Sequence, residues 1–114
     1  MLDKRNFYIN GKWITPSKTN DFEVINPSNE EPFATISLGY KEDTNAAVKA
    51  AKNAFIKWKE TPKDERISLL EKLLKVYKKR SKEMAEAITM EMGSPIDYSS
   101  STHTTSGQSH LEDF

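Results

Sequence analysis

The chain has 114 residues, 36% of them hydrophobic and 30% charged, a composition that fits an ordinary water-exposed protein of about one domain and excludes a disordered or fibrous one. Its 17 basic and 17 acidic residues cancel, so no overall field draws it to nucleic acid or to an anionic membrane, and neither is an expected partner. With no cysteine it has no disulfide, no thiolate zinc site and no cysteine nucleophile; the opening MLDKRNFYINGKW holds no signal-peptide core and no later stretch is apolar enough to span a bilayer, so a cytoplasmic protein is expected.

In chain order, FYINGKWI at residues 7–14 sets two short β-prone runs on either side of Asn10-Gly11, the pair best able to take positive φ at both centres of a type I′ turn, and predicts a hairpin. Residues 22–38, FEVINPSNEEPFATISL, predict a second hairpin with a longer connection through Pro27, Ser28 and Asn29. Phe22, Val24, Phe33, Thr35 and Ser37 alternate imperfectly with polar neighbours, which gives one buried and one wet face. From Lys41 the period changes. Ala47, Val48, Ala51, Phe55 and Trp58 recur at three- and four-residue steps and predict a helix over 42–59.

Thr61-Pro62-Lys63-Asp64 then offers a cap hydroxyl, a proline suited to the first helical position and first-turn acid, so a second helix is predicted over 62–92. Ile67, Leu70, Leu74, Tyr77, Met84 and Ile88 make its main stripe, Leu69, Leu73, Val76 and Ala87 widen it, and Gly93 with Pro95 ends it. The Ser/Thr run 99–106 reads as connection, after which Ser106 is a candidate cap for a further helix that would bring Leu111 and Phe114 onto one apolar face. The fold class expected is α+β, two hairpins followed by two long helices.

Few residues point to chemistry. His103 and His110, seven apart, match no usual metal spacing and are read as surface residues. Lys72, Lys75, Lys79 and Lys82 line one helical face, but Glu71, Glu83 and Glu86 lie among them, so a solvated outer face is expected. Trp13 and Trp58 each sit in an apolar pattern and are expected in the core rather than against bases. Glycines 11, 39, 93 and 107 are too scattered to cradle a phosphate. No catalytic, cofactor-binding or metal-ligating residue is assigned.

Four pieces in order carry a resemblance: Ile9-Asn10-Gly11-Lys12-Trp13, Ile25-Asn26-Pro27, the Ala-rich helix ending in Phe55 and Trp58, and Glu65-Arg66 before the leucine-rich helix. Together they resemble the N-terminal part of an NAD(P)-dependent aldehyde dehydrogenase, from about Phe7 onward. The resemblance implies a partial domain over 1–114 that buttresses a nucleotide-binding domain, in an oxidoreductase that converts aldehydes to acids. It implies that the cysteine nucleophile, glutamate base, oxyanion asparagine and cofactor sheet lie outside the matched region. Lys12, Asn26 and Arg66 are motif residues without a catalytic counterpart, and no cofactor is expected to bind this segment, NAD or NADP serving the full-length family.

Two functional classes follow. The chain is expected to be an N-terminal piece of such an enzyme, inactive alone; the alternative is a free-standing interaction module. A helix over 62–92 is about 45 Å long, against about 35 Å for the diameter of a compact domain of this size. Its apolar overhang, with Leu74, Tyr77, Met84 and Ile88 as contributors, leads to the expectation of self-association or of contact with the rest of the dehydrogenase.

Overall fold

The computed structural model describes residues 1–113. Strands β1 (Leu2–Lys4), β2 (Phe7–Ile9), β3 (Lys12–Ile14), β4 (Asp21–Asn26) and β5 (Glu31–Ser37) precede helices α1 (Lys41–Trp58), α2 (Lys63–Met92) and α3 (Ile96–Tyr98); a π-helical turn (Ser99–His103) and α4 (Thr104–Glu112) follow. This is the α+β succession expected, with β1, α3 and the π turn beyond what the sequence pattern showed. Two compact units divide it, Met1–Ile25 with Glu31–Glu60, and Asn26–Glu30 with the chain from Thr61 onward.

In the first unit, Asn10 and Gly11 take φ of 53° and 76°, the left-handed pair that a tight I′ turn requires. The turn fixes the antiparallel register Phe7↔Ile14, Tyr8↔Trp13 and Ile9↔Lys12. Tyr8 and Trp13 therefore stand opposite one another and meet edge to face, ring centroids 5.3 Å apart. The other sheet has the order β1-β5-β4. Its β1, which nothing in LDK announced, runs parallel to β5 with Leu2, Asp3 and Lys4 opposite Ala34, Thr35 and Ile36. The connection after β4 is tied by Asn26: its carbonyl accepts the amide of Glu30 at 2.8 Å and its side-chain oxygen that of Ser28 at 2.9 Å, an Asx turn.

In the second unit, α2 begins at Lys63, with Pro62 as the residue before it rather than Thr61. It ends at Gly93, whose φ of 72° is the left-handed cap conformation and whose amide donates to Thr89 O at 3.0 Å. The stripe Ile67, Leu70, Leu74, Tyr77 and Ile88 is partly covered, and Ala85 is fully buried.

The Ser/Thr run is helix and not connection, and Ser106 lies inside α4 rather than capping it. Hydroxyl residues normally compete with helical backbone bonds, but here they run along the helix. Side chains bond back one turn to carbonyls of α3, the π turn and α4: Ser101 to Asp97 O at 2.7 Å, Thr104 to Ser100 O at 2.8 Å, Thr105 to Ser101 O at 2.6 Å, Ser109 to Thr105 O at 3.0 Å. Ser99, fully buried, accepts from the Thr89 hydroxyl on α2 at 2.9 Å. Leu111 is half-buried, and Phe114 lies outside the described residues.

Several contacts seat α4 on α2, among them the Lys78–Glu112 ion pair at 2.6 Å and one that a glycine permits. The Tyr77 hydroxyl donates to Thr104 O at 2.8 Å, and a Cβ on Gly107 would lie 2.5 Å from that hydroxyl oxygen. Only glycine lets the ring approach. Gly107→Ala is expected to destabilise the chain by about 1–3 kcal/mol through overpacking, and Tyr77→Phe by about 0.5–1.5 kcal/mol through the lost hydrogen bond. Urea titration of the double variant should show a loss smaller than the two singles together, because removing the hydroxyl frees the space that the methyl needs. Additive losses would mean that the two positions are independent.

Candidate functional site

Two polar constellations stand out in the first unit. Asp43, in the first turn of α1, is buried although charged. Its carboxylate accepts the amide of Ser17 at 2.8 Å, the hydroxyl of Ser17 at 2.9 Å and the amide of Tyr40 at 2.9 Å. These donors, the Tyr40 amide first and the Ser17 amide next, hold its carboxyl below the usual carboxylate range. A general base works best with a pKa near the working pH. Asp43 is shifted the other way and is a clamp between the loop after β3 and the start of α1.

The second constellation is centred on Arg5. Its guanidinium reaches Asp3 at 2.7 Å and Asp21 at 3.2 Å, and Asp21 accepts the Ser37 hydroxyl at 3.1 Å. Side-chain hydrogen bonding from Arg5 lowers Asp3 to about 2, and the two aspartates hold Arg5 above its ordinary value. Because Asp3 is on β1 and Asp21 on β4, the two strands flanking β5, the guanidinium ties the sheet across its middle strand. A cleft of about 290 Å³ beside it is lined by Thr15, Lys18 and Thr19 among others.

The residues singled out in the sequence are not brought together. His103 is half-buried, edge-on to Tyr98 with ring centroids 5.0 Å apart, and His110 is exposed. Among the described residues no three His, Cys, Asp or Glu side chains are placed to hold a metal. Lys72, Lys75, Lys79 and Lys82 are exposed, the solvated face expected. Lys12 and Arg66 are exposed as well, and Asn26 serves the Asx turn.

The tryptophans are a correction. Trp13 is 71% and Trp58 46% exposed, not core. Trp13 meets Tyr8 and borders a cleft with Asp3, Lys4 and Asn6, which leaves it open, and the α1 stripe is open at Val48, Phe55 and Trp58 alike. Phe22, expected on a buried face, is 53% exposed. Of the residues expected to mediate association, Leu74, Tyr77 and Ile88 are partly covered within the second unit, and only Met84 is open.

For a dinucleotide the residues present do not fit. Pyrophosphate needs amide donors at a helix start, whereas the first turn of α1 carries Glu42 and Asp43 and that of α2 carries Asp64 and Glu65. Gly93 closes a helix and Gly107 accommodates Tyr77, so neither glycine serves a phosphate loop. What the structure does present is apolar surface. A groove of about 340 Å³ on α2 is lined by Leu73, Val76, Tyr77, Arg80, Glu83 and Met84. Asp43 was missed in the sequence; its place in the first turn of a helix was a legible signal, while its partner Ser17 lies 26 residues away.

The profile of the aldehyde dehydrogenase family matches residues 13–113. A 3-succinoylsemialdehyde-pyridine dehydrogenase of a Pseudomonas species is 45% identical over 96 residues, which is 84% of this chain and 20% of that protein. The crystal structure of an aldehyde dehydrogenase from Bartonella henselae superposes on all of this chain with a TM-score of 0.98 and 51% identity, over 24% of its own length. An aldehyde dehydrogenase from Pseudomonas syringae, solved as a mutant with NAD+ and octanal, superposes on 95% of this chain with a TM-score of 0.93 and 30% identity, over 22% of its length. The chain belongs to the aldehyde dehydrogenase family and corresponds to an N-terminal segment of it, spanning about a fifth to a quarter of the length of these relatives.

The Asp43 clamp gives a pH signature. A carboxyl whose folded pKa is depressed contributes stability that is fully present above its unfolded value, here 3.8, and is lost as pH falls through the lowered folded value. Asp43→Asn is therefore expected to be less stable than the parent at neutral pH and to lose less of its stability on acidification, measured by thermal melting from pH 7 to pH 3. Parallel melting curves for parent and variant across that range would remove Asp43 from the acid response.

Proposed function

We propose that this chain supplies the N-terminal scaffold of an NAD(P)-dependent aldehyde dehydrogenase and is not catalytically competent alone. Its residues 1–114 are one part of that enzyme's nucleotide-binding domain. The observation that carries the reading is the match to the Bartonella henselae enzyme over all of this chain and 24% of that one. The family reaction oxidises an aldehyde to an acid, with hydride passing to the nicotinamide after a thiol has added to the carbonyl. No residue of this sequence is a cysteine, so the nucleophile has to come from elsewhere in the enzyme. What this chain contributes is shape: one sheet tied across by Arg5, the loop after β3 clamped to α1 by Asp43, and the long α2 braced by α4. A cytoplasmic location goes with the same reading.

The test is a chimera. The Bartonella henselae enzyme with its matching segment replaced by this chain should form NADH or NADPH on addition of an aldehyde. The isolated chain should give none, and calorimetry should show no saturable binding of NAD or NADP at micromolar concentrations. An inactive, unfolded chimera, or micromolar cofactor binding by the isolated chain, would overturn the proposal.

A second reading, a self-associating module, is favoured by the apolar residues that the helices leave open. Sedimentation equilibrium over a hundredfold range of concentration is expected to show assemblies larger than the 13.0 kDa chain, because uncovered apolar surface on α1 and α2 is removed from water by a second copy. A single 13.0 kDa species throughout would end that reading.

A further inference from the structure

We propose that the outer arc of α2, formed by Leu69, Leu73, Val76 and Met84 around the Arg80–Glu83 pair, is the docking surface for the part of the dehydrogenase fold that this chain does not contain. The proposal rests on the scaffold reading above and names the face through which it operates.

The helix itself shows two apolar faces. At about 100° per residue, Leu69, Leu73, Val76, Met84 and Ala87 fall within one arc of roughly 100°, and Ile67, Leu70, Leu74, Tyr77, Ala85 and Ile88 fall within the adjoining one. Together they take up about 200° of the helix, roughly twice the stripe with which a surface helix packs on a single layer. The remaining arc carries Glu71, Lys75, Lys79, Lys82 and Glu86, all exposed.

Among the described residues the second arc is partly covered within this chain, as the Tyr77 bond to Thr104 and the buried Ala85 show. The first arc is open: Leu69 is 41%, Leu73 50%, Val76 53% and Met84 45% exposed. The two charges that line its groove are paired with each other, Arg80 Nη2 with Glu83 Oε2 at 2.9 Å. A covered groove can take a satisfied ion pair far more readily than a lone charge.

Area gives the scale. The chain exposes 8999 Å². A compact monomer of its mass exposes about 6,300 Å², and even two separate globules of half the mass expose only about 7,600 Å². The surplus, on the order of 1,000 Å², is of the size that one partner contributes to a standard interface, about 800 Å². A second copy has the area but not the other argument: the full superposition on an enzyme about four times as long, 24% of which this chain covers, identifies the occupant as the remainder of such a fold.

Leu73→Glu and Val76→Glu test this in two settings, the chimera with the Bartonella henselae enzyme and the isolated chain at a concentration where it sediments as a monomer. Lys75→Glu, on the charged arc, is the control. In the chimera each glutamate places an unpaired charge in a covered groove, so aldehyde-dependent NAD(P)H formation should fall on the order of a hundredfold, with a lower melting temperature. The isolated chain should keep its far-ultraviolet helix signal, since the arc packs on nothing there, and the control should match its parent in both settings. Unchanged activity and melting of the chimera variants would overturn the proposal. Loss of helix signal in the isolated variants would also overturn it, by showing that the arc belongs to the chain's own packing. If the variants abolish self-association of the isolated chain while leaving the chimera untouched, the occupant is a second copy and the proposal fails. An inactive parent chimera, by contrast, removes the scaffold reading itself, and this inference falls with it.

Discussion

The Tyr77 hydroxyl reaches a carbonyl of α4 only because Gly107 has no side chain, and the second unit depends on that approach. The same face of α2 holds the buried Thr89–Ser99 hydroxyl pair and the Lys78–Glu112 ion pair at 2.6 Å, so the π turn and α4 are packed against α2 from both sides of this approach. A π turn costs regular hydrogen bonds. Around it, serine and threonine hydroxyls reach the carbonyls of the preceding turn. The segment that looks least helical by propensity carries hydroxyls that bond back along the helix instead of competing with it.

The first unit reaches order by different means. It has almost no apolar core; Ala34 is its one fully buried apolar residue. Charge-assisted hydrogen bonds stand in for packing. Arg5 spans from β1 to β4 through Asp3 and Asp21, and Asp43 gathers three donors from the loop after β3 and the start of α1. Such bonds fix geometry well, since each has a direction, whereas burial of apolar area has none. A segment selected as a scaffold gains from this, because its strands keep their register even where the layer that covers them is not part of the same chain.

The residues that were legible in the sequence are those whose structure is set locally. Asn10-Gly11 specified a turn because two left-handed positions in a row admit few residues, and Gly93 specified a helix end for the same reason. The two long helices were legible to within one residue because their periods run for many turns. β1 was not, since three residues that pair with a strand some thirty positions away leave no period. The Ser/Thr run misled because its hydroxyls are read as helix competitors, whereas here they bond back along the helix. The family was legible from four short motifs. Residues with a role toward a substrate were not, and the three buried or paired aspartates that the structure does reveal, Asp3, Asp21 and Asp43, tie its own elements together.

The exposed tryptophans and the open arc of α2 have one cause. Apolar periodicity states that a face is to be covered, but not by what. Val48, Phe55 and Trp58 on α1, Trp13 on β3 and Leu73 and Val76 on α2 carry the pattern of core residues and the exposure of surface residues. A sequence shaped within a longer fold keeps the first property whatever happens to the second, because the pattern is written in the chain while the cover is supplied by its neighbours. The contradiction between pattern and exposure therefore marks where the neighbours belong. It is sharpest on α2, where the charged arc, the covered arc and the open arc lie side by side on one helix, so that the covered arc serves as an internal standard for what the open one was built to meet.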